Sequence, residues 1–257
     1  MILSNMGTTN EQIRNLNLKE MDGSLLSFAI LSAIEQIPSI NTSLVFEAME
    51  LAAYLHRTQL RGDRGNLPRD TYITHPLRNT LRILRYGCTV QDVIIASILH
   101  DTVEDHPFDM AKEFAGTIPE NEIEARAISL KYISERFGAR VAEVVEAVSN
   151  PIAPKNMDKD AARAEYVQHV LSVIHDPYVL LVKFSDFVDN AVGLYHSKGL
   201  NTRIEHLAKK YTPLVPAFRT RLKHDIESIP VSEQGLSEMK NHLAQGEARL
   251  QKILISA

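Results

Sequence analysis

The sequence predicts an all-α protein, and three observations support that fold class. Apolar residues recur at helical spacing in one segment after another. Proline, glycine and asparagine separate these segments where helices would begin and end. No alternation of apolar and polar residues lasts long enough to build a sheet, and no internal repeat or sustained heptad pattern is present.

The N-terminal half begins with residues 1–20, which are polar and mixed and predict a loosely ordered arm or a short helix. Pro38 ends the first long helix, and Asn41 offers the start of the second. Gly138 is a natural C-terminal stop. The helices predicted in this half cover about 25–37, 44–59, 77–86, 90–104, 125–137 and 141–148. Between them, residues 60–70 predict a basic loop, and residues 108–124 predict a surface excursion.

The C-terminal half predicts helices at about 166–174, 178–195, 203–226 and 235–255. Residues 178–182 are β-branched and short enough to form a buried strand. They run into residues 183–190 without a turn residue, so one continuous helix is favoured. A stripe of apolar residues on the last helix predicts packing on the main domain, with a partner or homodimer surface as the alternative. The stripe consists of Leu236, Met239, Leu243, Leu250 and Ile253.

The helix at 90–104 is apolar almost all round, which is typical of a buried helix, and it carries charged groups at its far end. Thr89 followed by Asp92 resembles an N-cap pair. Two pairs on one helix end are spaced i,i+4, namely His100 with Glu104 and Asp101 with Asp105. Charges at the end of a buried helix are costly unless a partner such as a bound cation compensates them. Alternatively, the helix end surfaces and its charges meet water.

Composition limits the possible functions. The chain has 257 residues, of which 44% are hydrophobic and 23% charged, as in an ordinary soluble protein. A net charge of −4 does not suggest a nucleic-acid-binding surface, although a small anionic substrate fits a local basic pocket. With Cys88 as its one cysteine, the chain forms no internal disulfide. No apolar segment is long enough to span a membrane, so we expect a cytoplasmic protein.

Several polar groups fall at the ends or middles of apolar helices. They are His75, His100, Asp101, Glu104, Asp105, Asp186, Asp189 and Asn190. Two imidazoles with two carboxylates form a reasonable ligand set for manganese, iron or zinc. Taken singly, each residue also has an ordinary structural explanation, and the other histidines, among them His169, His175 and His196, are assigned no role.

Four blocks in order resemble the HD-type metal-dependent phosphohydrolases, in particular the hydrolase module of the RelA/SpoT homologues and the small alarmone hydrolases. The blocks are AAYLHRTQLR at 52–61, YITHP at 72–76, ILHDTVED at 98–105 and LVKFSDFVDN at 181–190. FGARV at 137–141 matches the family's spacer. The likeness covers about residues 44–215. It implies an HD helical bundle at 41–215, an N-terminal extension at 1–40 and a C-terminal helical extension at 216–257.

The resemblance also implies the site and the reaction. The implied metal ligands are His75, His100, Asp101 and Asp186. Manganese is the family's usual ion, and Fe²⁺, Zn²⁺ or Mg²⁺ are alternatives. Glu104 and Asp105 would be the catalytic acidic pair, and Arg61 and Asn190 would bind the substrate. The implied reaction removes the 3′-pyrophosphate of guanosine tetra- or pentaphosphate, a small-molecule nucleotide, and no synthetase domain is expected.

Three positions depart from the family pattern, and they leave substrate identity open. They are Gly62, Phe187 and Asp189. The family has a basic residue at the position of Gly62, and Arg64 or Arg69 could replace that charge. One alternative is therefore another nucleotide, such as an adenosine alarmone or the 2′-phosphate of NADPH. Another is a nucleotide-sensing protein without catalytic activity.

Overall fold

The computed structural model of the chain describes residues 12–13, 16–61, 70–152, 154, 156–191 and 201–256, without the side chains of 201–203. Within these ranges the regular structure is helical, apart from one isolated bridge between Leu60 and Thr71. The predicted all-α class is confirmed. Several predictions lie outside the described residues: most of the N-terminal arm, the departure at Gly62 with Arg64 and Arg69, and the last four residues of the helix predicted at 178–195.

The α-helices are numbered here in chain order. They are α1 (Gly23–Ile34), α2 (Thr42–Leu55), α3 (Thr74–Arg85), α4 (Gln91–Leu99), α5 (Thr102–Asp105), α6 (Pro107–Glu113), α7 (Glu122–Phe137), α8 (Ala139–Val148), α9 (Lys159–Val173), α10 (Pro177–Ala191), α11 (Asn201–Tyr211), α12 (Val215–His224) and α13 (Glu233–Ile255). Short 3₁₀ turns cover Leu18–Glu20 and Thr212–Leu214. Among the described helices, none is long and apolar enough to cross a bilayer.

Helix α4 lies at the centre of the core. Every residue from Val93 to Leu99 is buried, as predicted from its apolar character on all sides. The helix packs against α2, α3, α8 and α10, so the groups that follow it in the chain emerge in the middle of the molecule.

The prediction of one helix over 90–104 is wrong, because the helix breaks at His100 and Asp101 before α5 begins. Side chains there bind the backbone instead. The His100 ring lies 2.8 Å from the Ser97 carbonyl, and the Thr102 hydroxyl donates to the Leu99 carbonyl at 2.7 Å. The N-cap of α4 is also Val90, with no side-chain cap, so the predicted Thr89 pair does not form.

Other helix boundaries differ from the predicted ones for local reasons. The helix predicted at 203–226 is split by a 3₁₀ turn, because Pro213 and Pro216 lack the N–H that a helix interior needs. Part of the predicted surface excursion is helix α6, which buries Met110 and Ala111. Gly138 does end α7, with a φ of 108° that favours glycine.

Helix α3 is unusual because its polar side chains point inward. Among its buried residues are Thr74, His75, Arg78, Asn79, Thr80 and Arg82. Four of them contact α10, namely His75, Arg78, Asn79 and Arg82, whereas Thr80 contacts Ser97 of α4. Helix α3 also packs against α1. This polar interface between α3 and α10 carries the candidate site described below.

The far end of α3 anchors the C-terminal helix. The Tyr86 carbonyl accepts from the Ser232 amide at 3.0 Å, and Ser232 caps α13. Burial lowers the pKa of His242 to about 4, so its neutral ring accepts from the Tyr86 hydroxyl at 2.7 Å. The predicted apolar stripe packs inward, with Met239 and Leu250 fully buried. Packing on the main domain is thus what most of the stripe does, while a homodimer and the predicted boundaries at 40 and 215 stay predictions.

Substituting Gly235 with alanine should destabilise this junction. A Cβ at Gly235 would lie 1.8 Å from the Tyr86 carbonyl oxygen, so the α13 backbone must move. We expect a loss of about 1–3 kcal/mol or more in the free energy of unfolding, measured by urea denaturation. Gly23→Ala is the control, because its Cβ would meet nothing nearer than 3.9 Å. Equal stability of the two variants would contradict the close approach of α13 to Tyr86.

Candidate metal centre

The structure brings the four predicted metal ligands together from three parts of the chain. His75 lies in the first turn of α3, His100 and Asp101 form the break after α4, and Asp186 lies in α10. The Nε2 atom of His75 lies 3.0 Å from Asp186 Oδ1 and 3.6 Å from Asp101 Oδ2. Donor atoms of His75, His100 and Asp101 all lie within 4.8 Å of one another. Asp186 joins this group through its contact with His75.

The backbone fixes the orientation of the His100 ring. Nδ1 lies 2.8 Å from the Ser97 carbonyl, which only accepts hydrogen bonds, so Nδ1 carries the proton. The Nε2 atom is then left with a lone pair. It is buried, makes no hydrogen bond, and lies 3.2 Å from the Asp101 carboxylate. A lone pair facing a carboxylate at this distance is unfavourable unless a cation or a proton lies between them.

A carboxylate fixes the His75 ring in the same way. Its Nδ1 lies 2.7 Å from Asp189 Oδ2, so this nitrogen is the donor and Nε2 is turned toward Asp101 and Asp186. Metal-binding histidines commonly donate their second ring N–H to a carboxylate, which holds the ring and increases its basicity. His75 therefore presents the nitrogen that a metal would need.

Two imidazole lone pairs and two carboxylates thus converge, and this donor set fits a divalent cation. Burial alone would raise the pKa of Asp101, but the positive charge that His100 and His75 carry when a proton takes the place of the cation outweighs burial and lowers the pKa. The pKa of Asp186 is also lowered, because its contact with protonated His75 outweighs burial. Both carboxylates are therefore ionised at neutral pH, as metal ligands must be.

Asp189 is the centre of a buried charge cluster that the sequence analysis missed as a site residue. Its carboxylate meets Lys19 Nζ at 2.9 Å, Arg78 Nε at 3.0 Å and Arg82 Nη2 at 3.2 Å. Burial raises the pKa of Asp189, but the surrounding cations, led by Lys19, and His75 hold it well below its usual range. Burial also lowers the pKa of Lys19 to about 7, because loss of solvation and the nearby Arg78 charge outweigh the attraction of Asp189.

The two predicted catalytic carboxylates flank the site on different sides. Glu104 accepts two hydrogen bonds from Asn150, from its backbone N–H and from its side-chain amide, both at 2.8 Å. Asp105 accepts from Gln59 Nε2 at 2.8 Å. Burial, followed by the charge of Asp101, raises the pKa of Asp105. A raised carboxyl pKa is favourable for proton transfer near neutral pH.

The two predicted substrate-binding residues also contact each other. Arg61 Nη2 donates to Asn190 Oδ1 at 3.2 Å, and Asn190 Nδ2 donates to Asp186 Oδ1 at 2.6 Å. The Arg61 guanidinium lies 5.4 Å from the centre of the Tyr72 ring, whose hydroxyl donates to Asp101 at 2.8 Å. Arg61 and Asn190 therefore lie directly beside the metal ligands.

Two lysines that the sequence analysis did not assign complete the site. Lys210 Nζ lies 3.9 Å from the centre of the Tyr166 ring, and Lys183 Nζ lies 5.7 Å from it. Burial lowers the pKa of Lys210, against the opposing charge of Asp186. These lysines give the site positive charge for an anionic ligand.

Two of the departures from the family pattern have structural explanations. Phe187 is buried and contacts the rings of Phe184, Tyr211 and Phe218, so it belongs to the core. Asp189 holds His75 and the buried arginines. Asp189 Oδ2 also lies 3.6 Å from Arg61 Nη2, so this carboxylate reaches a predicted substrate-binding residue.

The sequence contains a partial signal for the charge cluster. Arg78 and Arg82 are spaced i,i+4 on the helix that carries His75, and Asp189 already stood among the polar groups of apolar helices. Their pairing across 107 to 111 positions of sequence has no local signature.

The chain is similar to known proteins over more than half of its length. The HD domain model matches residues 48–214. The guanosine-3′,5′-bis(diphosphate) 3′-pyrophosphohydrolase of Aquifex aeolicus (strain VF5) is 31% identical over 143 residues, 56% of this chain and 17% of that protein. The guanosine-3′,5′-bis(diphosphate) 3′-pyrophosphohydrolase MESH1 of Mus musculus is 30% identical over 159 residues, 61% of this chain and 69% of that protein.

A probable GTP pyrophosphokinase of Mycobacterium leprae (strain TN) is 29% identical over 157 residues, 61% of this chain and 16% of that protein. The chain thus matches about a sixth of the length of the Aquifex and Mycobacterium proteins. Most of MESH1, in contrast, falls within the match.

Replacing Asp189 with asparagine should weaken metal binding. The change keeps the shape but removes the charge that orients His75, and such changes commonly cost about 10–100-fold in metal affinity. It also leaves the buried arginines without a carboxylate, which should cost about 3–5 kcal/mol of stability. Manganese titration calorimetry and urea denaturation measure the two effects.

Asp158→Asn is the matched control, because Asp158 is an exposed N-cap and asparagine caps a helix equally well. If Asp189→Asn bound manganese as tightly as this control, the carboxylate would not support the metal ligand.

Proposed function

The chain belongs to the HD-domain family, and we propose that it is a divalent-metal-dependent hydrolase that removes the 3′-pyrophosphate of guanosine tetra- and pentaphosphate. The observation that carries this proposal is the convergence of His75, His100, Asp101 and Asp186 on one point, with both imidazole lone pairs facing carboxylates. The substrate class comes from the relatives, whose names state this activity for them.

Manganese is the ion we propose, because a set of two imidazoles and two carboxylates is neither purely hard nor soft. A bound divalent cation supplies a water whose pKa falls to roughly 7–9, together with charge that offsets the phosphates. His75 and His100 present their Nε2 atoms to it because Asp189 and the Ser97 carbonyl hold the opposite nitrogens.

The reaction needs two proton movements. A water oxygen bonds to the 3′ phosphorus, the bond from that phosphorus to the ribose 3′-oxygen breaks, and the proton lost by the water is balanced by one gained at the 3′-oxygen. We assign these proton transfers to Glu104 and Asp105. Asp105 is suited to the proton-donating role because its pKa is raised. Asn150 holds Glu104 in one orientation through two hydrogen bonds.

The substrate-binding groups are cationic and surround the metal ligands. Arg61 lies beside Asn190 on one side, and we assign these two residues to the nucleoside and its nearest phosphate. Lys183 and Lys210 share the Tyr166 ring on the other side, and we assign them to the pyrophosphate groups. Phe187 is buried in the core and gives no structural reason to prefer another nucleotide, whereas Asp189 lies against Arg61.

Manganese-loaded protein should convert guanosine 3′,5′-bis(diphosphate) to GDP and pyrophosphate in equal amounts. Phosphorus NMR follows both products directly. The adenosine analogue and NADPH, assayed under the same conditions, should react more slowly, and Asp101→Asn should be inactive because it loses a metal ligand. Protein that holds manganese but releases no pyrophosphate from the guanosine compound would refute the proposed substrate.

Substituting Lys210 with methionine should reduce kcat/KM by roughly 10–100-fold, because a hydrogen bond to a charged group contributes about 1.5–3 kcal/mol. The matched control is Lys209→Met on the next residue, where the lysine is 51% exposed and pairs with Glu205. Steady-state kinetics on the guanosine substrate would compare the two. Similar kcat/KM values in both variants would remove Lys210 from the phosphate site.

A further inference from the structure

A second cluster of metal-binding side chains lies beside the candidate metal centre. His56 follows α2, Asp105 ends α5, and His106 is the next residue. One donor atom from each of these three residues lies within 4.8 Å of the other two. The Nδ1 atom of His56 and the Nε2 atom of His106 are 3.2 Å apart. We propose that His56, Asp105 and His106 form a second divalent cation site, of the zinc class.

The distance between the two imidazoles supports a shared cation. Two nitrogens that each lie about 2.0–2.1 Å from one zinc ion at the tetrahedral angle stand roughly 3.3 Å apart. The observed separation of 3.2 Å matches this value. The rings meet edge to face, at 75° with centroids 4.8 Å apart, so their nitrogens approach without stacking.

Gln59 closes the cluster. Its amide nitrogen donates to Asp105 Oδ2 at 2.8 Å, which turns its Oε1 atom toward the rings. Oε1 lies 2.6 Å from His56 Nδ1 and 3.0 Å from His106 Nε2. The amide oxygen or a water molecule is therefore available as the fourth ligand.

The contacts of the cluster allow a cation to replace a proton. Gln59 Oε1 only accepts hydrogen bonds, so without a cation a ring N–H of His56 or His106 donates to it. A bound cation would take the place of that proton and bind His56 Nδ1 and His106 Nε2 together, at the separation observed.

The donor set indicates the kind of cation. Two imidazoles with one carboxylate favour zinc and its neighbours among the transition metals over magnesium or calcium. This site is distinct from the first one, because Tyr72 lies between them. The Tyr72 ring packs on His56 at a centroid distance of 4.7 Å, and its hydroxyl donates to Asp101.

Metal stoichiometry tests the proposal without any nucleotide. Equilibrium dialysis of the purified full chain against Zn²⁺, followed by elemental analysis, should give two equivalents per chain. His106→Asn and Asp105→Asn should each hold one equivalent, as should His100→Asn, which retains the second site. The control His175→Asn, at an exposed histidine, should hold two. Circular dichroism verifies that each variant is folded.

A wild-type stoichiometry of one would overturn the second site, and so would two equivalents in folded His106→Asn. Cobalt substitution gives an independent signal. His100→Asn should still show the absorption bands of four-coordinate Co²⁺, whereas the double variant that also carries His106→Asn should not. Both measurements are independent of hydrolysis, so their outcome stands even if the proposed substrate is wrong.

A regulatory consequence rests on the proposed hydrolase function. Asp105 cannot transfer a proton while it binds a cation, so added Zn²⁺ should lower kcat of the manganese enzyme by up to roughly 10²-fold. In His106→Asn the ratio of kcat with and without Zn²⁺ should stay near one. Equal zinc inhibition in the wild type and in His106→Asn would show that zinc acts elsewhere and would overturn this consequence.

Discussion

The carboxylate of Asp189 is the interaction on which both the fold and the site depend. It is fully buried, and an isolated buried charge would be prohibitively costly. Its cost is offset because Arg78 binds it through two nitrogens while Arg82 and Lys19 bind it from other directions. These contacts join α3, α10 and the segment before α1. The same carboxylate orients His75, so the packing of three segments sets the direction of one metal ligand.

Hydrogen bonds of the ring nitrogens shape both clusters of histidines. In the first cluster, Asp189 and the Ser97 carbonyl hold Nδ1 of His75 and His100, which leaves Nε2 for a cation. In the second, Gln59 Oε1 lies 2.6 Å from His56 Nδ1 and 3.0 Å from His106 Nε2. The break between α4 and α5 is what allows this arrangement, because it turns His100 and Asp101 to one side and leaves Asp105 and His106 at the other.

Most of the elements could be predicted from sequence, because apolar spacing and helix-ending residues are local signals. Asn41 and Gly138 act at the helix ends as expected. The break at His100 could not be predicted, since it depends on side chains that replace backbone hydrogen bonds within an apolar run. The convergence of His75, His100, Asp101 and Asp186 was predictable from the motifs that carry them. The partners of Asp189 were not predictable, because they come from distant segments whose inward orientation only packing determines.

Charges of both signs lie close together at the site. Asp101 and Asp186 lie beside His75, while Arg61, Lys183 and Lys210 supply positive charge nearby. Such a site suits a ligand that is itself polyanionic, because several cationic groups can act on different phosphates at once. Of the departures, Phe187 fills the core, whereas Asp189 neutralises arginines behind His75 and also lies 3.6 Å from Arg61. Under the proposed function, discrimination between bases is therefore expected from Arg61, Asn190 and the residues around them.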